Sequence, residues 1–160
     1  DLRTSRGLGD VYKRQTKAGR EFRKSMNNLE VETISDTLTV HSYGKVLAGE
    51  TADNVVTLRW SLEVTDPAKF VPLWVNFSKS IEKYDWTSNG YGLQTHYLGN
   101  NGTGITHEIW ASFNTVQDAL AFLSGLNNSK EFAEYSPKAR EYSKFKRSYM
   151  EVSLKQYNPD

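Results

Sequence analysis

The chain has 160 residues, with 20 basic and 19 acidic side chains, 38% hydrophobic residues and no cysteine. The missing cysteines exclude disulfides, thiolate metal sites and a cysteine nucleophile, and no apolar run approaches the ~18 residues that a membrane-spanning helix needs. A chain of this size suits one domain with a moderate core, or one domain and a fragment.

Ser5-Arg6-Gly7-Leu8-Gly9-Asp10-Val11-Tyr12-Lys13-Arg14-Gln15 resembles the translation of a transposon-end adapter used in preparing sequencing libraries. Its glycines, mixed charge and lack of periodicity support no folded element, so residues 1–15 are set aside as a disordered artefact. The alternative is a natural basic tail. On the adapter reading the natural chain begins near Thr16, as a fragment of something longer from an assembled environmental read. Residues 1–15 hold four basic and two acidic side chains, so without them 16 and 17 remain and the net charge moves from +1 to −1. No basic stripe with interleaved aromatics is left, and no nucleic-acid partner is expected.

Residues 16–48 carry a helical stretch from Gly19-Arg20-Glu21-Phe22 to about Ile34, then a strand-like run, Thr37–Leu47. Ser129-Lys130-Glu131-Phe132 leads in the same way into the last strand of the chain. The echo reads as the C-terminal helix and strand of a truncated preceding repeat, with residues 49–54 as linker; the alternative is an ordinary N-terminal helix and strand of one domain.

The main domain is expected over residues 55–160. Val56, Leu58, Trp60, Leu62 and Val64 alternate with polar residues, the pattern of a half-buried strand. Asp66-Pro67 opens a helix whose stripe is Phe70, Trp74, Phe77, Ile81 and Tyr84, with Pro72 delaying the regular part by a turn. That stripe reads as core rather than as a ligand box. A hairpin follows, Tyr91–Gly99 and Gly104–Ser112. A type I′ turn on Asn101-Gly102 pairs Leu98 with Ile105, His96 with His107, Gln94 with Ile109 and Leu93 with Trp110. Asn114 or Thr115 caps a second helix through Leu126, Ser129 caps a continuation that Pro137 breaks or restarts, and a last strand spans about Lys146–Tyr157. The order β-α-β-β-α-β predicts a ferredoxin-like α+β domain, with four antiparallel strands under two helices on one face.

This order, with Glu108-Ile109-Trp110-Ala111-Ser112 on the third strand and a helix near Ser-Lys-Glu-Phe, resembles the dimeric α/β-barrel superfamily over about residues 55–157. That superfamily includes antibiotic-biosynthesis-type and haem-degrading monooxygenases. The resemblance implies two sheets facing each other across a dimer, with a pocket between helices and sheet or within the barrel. Haem-degrading members use a Trp, an Asn and a His. Trp110 matches the first, but strand one offers only Arg59 or Ser61, and Ala133-Glu134-Tyr135-Ser136 contains no His, so haem degradation is not expected.

Arg59, Ser61, Glu63, Tyr149, Glu151 and Ser153 are expected to point away from the helices, with Leu93, Thr95, Glu108 and Trp110 on the same barrel face. His96 and His107 are expected on the helix side. As a cross-strand pair they would sit ~5 Å apart and share a proton or a metal, but only Gln94 stands near as a third ligand, so no metal is expected. His41 is too poorly placed to join them. Arg59, Glu63, Glu108, Tyr149 and Glu151 read either as a carboxylate- or ketone-binding set or as an internal or dimer-interface ion-pair network. The ligand-pocket candidates are therefore Trp110, Arg59, Glu108, Tyr149, His96 and His107, with no catalytic residue assigned and no cofactor expected.

Two functions follow. One is a small-ligand-binding or interaction module without catalysis; the other is a cofactor-independent monooxygenase-like enzyme acting on a small organic substrate. An open, mostly apolar cavity of ~300 Å³ or more favours the enzyme, and a pocket closed by packed side chains favours the module. The expected partner is a second copy or a tandem repeat, together with a small molecule; no membrane contact is expected, and the cytoplasm is the default location.

Overall fold

The computed structural model describes residues 17, 20, 21, 24, 25, 38–46, 55–84, 89–98 and 102–153. The adapter-like segment, the linker 49–54, Asn100 and Asn101, the strand end from Leu154 to Tyr157 and most of the helix expected before Ile34 lie outside these residues. The chain divides into two compact units, residues 1–34 and 35–160. In the first, the described residues are helical, and Lys17 lies 4.0 Å from Glu21 one turn on.

The second unit runs β1 (Leu38–Val46), β2 (Val55–Val64), α1 (Pro67–Ile81), β3 (Gly90–Leu98), β4 (His107–Phe113), α2 (Val116–Asn127), α3 (Lys130–Tyr142) and β5 (Ser143–Ser153). The strands form one antiparallel sheet in the order β1-β3-β4-β2-β5. From β2 onward this is the ferredoxin-like arrangement, and β1 adds a fifth strand along the outer edge of β3. No helix among the described residues is long and apolar enough to cross a membrane.

Local chemistry sets the helix limits. The Asp66 carboxylate accepts from the Lys69 amide at 3.2 Å and Pro67 fills the first turn, where its missing N–H costs nothing. Thr115 caps α2 by accepting from the Asp118 amide at 3.1 Å, and Ser129 caps α3 by accepting from the Phe132 amide at 3.2 Å. Neither interior proline breaks its helix: α1 is continuous through Pro72 and α3 through Pro137. Pro72 removes the bond to the Ala68 carbonyl, but both residues are solvent-exposed, so water can replace it.

The helices cover one face of the sheet. Val56, Leu58, Leu62 and Val64 of β2 point into them and meet Phe70 and Trp74 of α1, Ala119 of α2 and Ala139 of α3. The odd-numbered residues Arg59, Ser61 and Glu63 take the other face, as the alternation predicts.

The hairpin departs from its expected register by one residue. Thr95 pairs with His107, Gln94 with Glu108, Leu93 with Ile109 and Gly92 with Trp110. The connection is longer than a two-residue turn, running from the end of β3 at Leu98 to the start of β4 at His107. Gly102 and Gly104 both take positive φ, 74° and 72°, a conformation in which an L side chain is strained. Just before β4, the Thr106 carbonyl accepts from the His96 amide at 2.8 Å while the Thr106 amide donates to Leu62 of β2 at 2.9 Å. A one-residue slip turns the side chains of one strand, here β3, to the opposite face, while β4 keeps the faces expected of it. His96 therefore joins the open face, and His107 stays on the helix side, where it is buried against Phe70. Leu93 and Thr95, expected on the barrel face, lie on the helix side; Glu108 and Trp110 keep their expected face.

Candidate functional site

Three of the sequence-derived candidates meet on the open face. Arg59 of β2 donates through Nη1 to Glu108 Oε2 at 3.0 Å and through Nε to Glu151 Oε2 at 2.7 Å. Glu108 Oε1 accepts from Tyr149 at 2.8 Å and from the fully buried Ser61 hydroxyl at 3.1 Å. Glu108 is only 6% exposed although no described helix covers this face, because its neighbours wrap it. Burial, and then the bond to Glu108, push the Tyr149 phenol up to about 12. Burial lowers the Arg59 guanidinium, but its bond to Glu151 and the nearby carboxylates outweigh that and leave it raised. Each of these five side chains has at least one partner within the set, and both Glu108 oxygens are engaged, as in a structural network. A small hollow of about 230 Å³ lies on the helix side of the β2–β5 pairing, among Leu58, Trp60, Leu123 and Met150.

Trp110 is on the same face, laid across β3. A Cβ on Gly92 would stand 2.5 Å from the indole nitrogen, so glycine there makes room for the ring, and His41 of β1 meets its edge at 6.2 Å. The Trp110 N–H and both His96 ring nitrogens are enclosed without a hydrogen-bond partner. Burial lowers the pKa of both His96 and His107. On opposite faces the two imidazoles cannot share a ligand, which removes the proton-sharing pair expected from the hairpin. Among the described residues no three side chains of metal-ligating type converge.

A larger open space than that hollow lies between the sheet and the helices. A cavity of about 600 Å³ separates the helices from β2, β3 and β4. Trp60 and Ile109 form its floor, Trp74 and Phe77 of α1 with Tyr135 of α3 stacked on Phe77 one wall, and Phe122 of α2 the other. Trp110 borders it through the sheet, with its indole directed away across Gly92. The α1 stripe, expected to be plain core, is thus divided. Phe70 and Trp74 are buried, while Phe77 and Ile81 are only partly covered where α1 and α2 stand apart. Periodicity marks the inward side of a helix but not whether a second helix closes against it.

At one end of the cavity a polar cluster crosses three elements. Lys45 of β1 donates to Glu82 Oε2 at 2.8 Å, and the Tyr91 phenol donates to Glu82 Oε1. The lysine bond, then the tyrosine bond, hold the Glu82 carboxyl below its ordinary value; burial first, then Glu82, raise the Tyr91 phenol. Glu82 is therefore ionised and Tyr91 protonated at neutral pH. None of these three was singled out in the sequence. Lys45 and Glu82 lie 37 residues apart, and only the added strand β1 brings them together.

No protein-family model matches the chain, and no curated protein sequence matches it. Solved structures do. A candidate monooxygenase of Fusobacterium nucleatum subsp. nucleatum is similar at TM-score 0.58 and 14% identity, over 92% of this chain and 65% of that one. The chain thus spans about two thirds of that protein's length. SnoaB, a cofactor-independent oxygenase from Streptomyces nogalater, is similar at TM-score 0.42 and 15% identity, over 68% of this chain and 100% of that one. The likeness to the Fusobacterium protein is one of fold, and the fold of this chain is the ferredoxin-like α+β sheet seen in monooxygenase-type proteins.

Proposed function

We propose that the second unit binds a small, largely apolar, ring-bearing molecule in the space between its helices and its sheet. The cavity carries the reading. About 600 Å³ of mostly apolar space is within the range of small-molecule sites, and at twice the ~300 Å³ threshold set from the sequence it also favours the catalytic reading given below. Aromatic walls on both helices suit a flat ring system, which stacks or meets ring edges at ~4.5–7 Å. The network around Glu108, with both its oxygens engaged, supports a structural role for the open face.

The test is a fluorescence titration of the full chain with tetralin, read from Trp60 and Trp74 in the cavity wall. Saturable quenching is expected, and Ala139→Leu, which fills the cavity from α3, is expected to weaken it. Quenching untouched by that substitution would place the ligand elsewhere.

A second reading adds catalysis: monooxygenation, the class that the name of the Fusobacterium neighbour carries, run here without a cofactor. Glu82 favours it, as an ionised carboxylate at the end of the cavity. It would take a substrate proton by exchanging its bond to Tyr91 for one to the substrate, although its lowered pKa makes it a weak base. Oxygen uptake with an acidic, ring-bearing substrate tests it, and Glu82→Gln is expected to abolish that uptake.

Association through the open sheet face belongs to the same proposal, with a second copy or a tandem repeat as the partner. His41-Ser42-Tyr43-Gly44-Lys45-Val46 in β1 and Arg147-Ser148-Tyr149-Met150-Glu151-Val152 in β5 share Ser-Tyr-x-x-Val at the two edges of the sheet, which supports the repeat.

A further inference from the structure

Tyr135 is the exception among the tyrosines that border the cavity or the open face. Tyr91 donates to Glu82, Tyr84 to Glu131 and Tyr149 to Glu108. The hydroxyl of Tyr135 has no hydrogen-bond partner among the described residues. Its ring lies on Phe77 with centroids 4.1 Å apart and planes 11° from parallel, with Phe132 alongside at 6.4 Å. These contacts fix the ring, and a phenylalanine would make them equally well. The hydroxyl oxygen is not sealed in protein as the His96 nitrogens and the Trp110 N–H are; it remains accessible, on a residue that lines the cavity. A tyrosine hydroxyl in a mostly apolar cavity is a donor that a bound ligand must either pair or leave covered without a partner. Burial raises this phenol well above its ordinary pKa, so it keeps its proton and stands as a donor.

We infer that Tyr135 is the polar anchor of the cavity, donating a hydrogen bond to a carbonyl or phenolic oxygen of an otherwise apolar, ring-bearing ligand. This rests on the binding reading above. Phe77 holds the donor ring in place from α1, and Trp60 and Trp74 offer apolar surface to the rest of the ligand. The anchor selects an oxygenated ring over the parent hydrocarbon: a bound hydrocarbon covers the phenol without giving it a partner, whereas an oxygen on the ring supplies one.

The experiment compares 1-tetralone with tetralin, the same skeleton with and without a ketone, on the full chain and on Tyr135→Phe. For Tyr135→Phe, tetralone binding is expected to weaken about threefold to tenfold while tetralin binding stays within about twofold. The ligand-free Tyr135→Phe protein is expected to melt no lower than the parent, since the lost hydroxyl had no partner. Equal effects on both ligands, an unchanged tetralone affinity, or a lower melting temperature for Tyr135→Phe would each overturn the anchor. Failure of both ligands to bind the parent chain would overturn the cavity reading itself, and the anchor with it.

Discussion

Replacing Glu108 by alanine strips one acceptor from three donors at once. Arg59 Nη1 at 3.0 Å, Tyr149 at 2.8 Å and Ser61 at 3.1 Å all lose their bond. A hydrogen bond to a charged group contributes ~1.5–3 kcal/mol, and a buried donor left unmade costs ~1–3 kcal/mol. Arg59 keeps Glu151 and some contact with water, its side chain being 23% exposed, which lowers its share. Ser61, with no exposure, has no such relief. The total for Glu108→Ala is about 4 kcal/mol, in line with breaking a buried ion pair. Glu108→Gln keeps an oxygen for Ser61 and Tyr149 but turns an amide N–H toward the Arg59 donor in place of the carboxylate oxygen, for about 2 kcal/mol. Urea unfolding of the full chain, followed by tryptophan fluorescence, reads both. With a slope of ~2 kcal/mol/M the midpoint falls by ~2 M for alanine and ~1 M for glutamine. An alanine variant within ~1 kcal/mol of the parent, or a glutamine variant as damaged as alanine, would refute the claim that this network holds the open face together.

Gly92→Ala puts a Cβ 2.5 Å from the Trp110 indole nitrogen; a loss of ~1–3 kcal/mol in urea unfolding is expected, together with a shifted tryptophan emission. Thr115→Ala removes the acceptor for the Asp118 amide at the start of α2, and the same assay is expected to show a loss of ~1 kcal/mol. Lys83 and Tyr84 hold the Glu131 carboxyl down at about 2. A depressed carboxylate stabilises the fold above its ordinary value of 4.5, and that contribution disappears as pH falls through about 2. Melting curves of the parent and of Glu131→Gln are therefore expected to differ most at neutral pH and to converge in acid; a gap that widens in acid would reverse the sign of this coupling.

Much of the fold was legible because burial writes a period into the chain. The alternation in β2 assigned both faces correctly, since Arg59 and Glu63 cannot take the places of Leu58 and Leu62 in the core. The Asp66 and Thr115 caps were legible for the same local reason. The hairpin was harder. Asn-Gly is a strong turn signal, but the register also depends on Thr106, which bonds β3 and β2 at once, and on a second positive-φ glycine at position 104. That one residue decided the fate of the two histidines. Arg59, Glu108 and Tyr149 were brought together by pairing β4 and β5 on either side of β2, which the topology alone predicts. The cavity was not legible, because it depends on how far α1 stands from α2, and spacing along one helix says nothing about its neighbour. Tyr135 carried no signal of its own: in sequence it is one more aromatic on an amphipathic helix, and only the missing partner for its hydroxyl sets it apart.

Methyl-resolved NMR of the full chain titrated with tetralin tests binding between helices and sheet most directly. Binding in the cavity is expected to shift the methyls of Leu62, Ile109, Leu123 and Leu126, which line it, and to leave those of Val40 and Val152, exposed on the edge strands, in place. Shifts confined to Val40 and Val152, or no saturable shift at any of the six, would contradict the assignment of this cavity as the binding site.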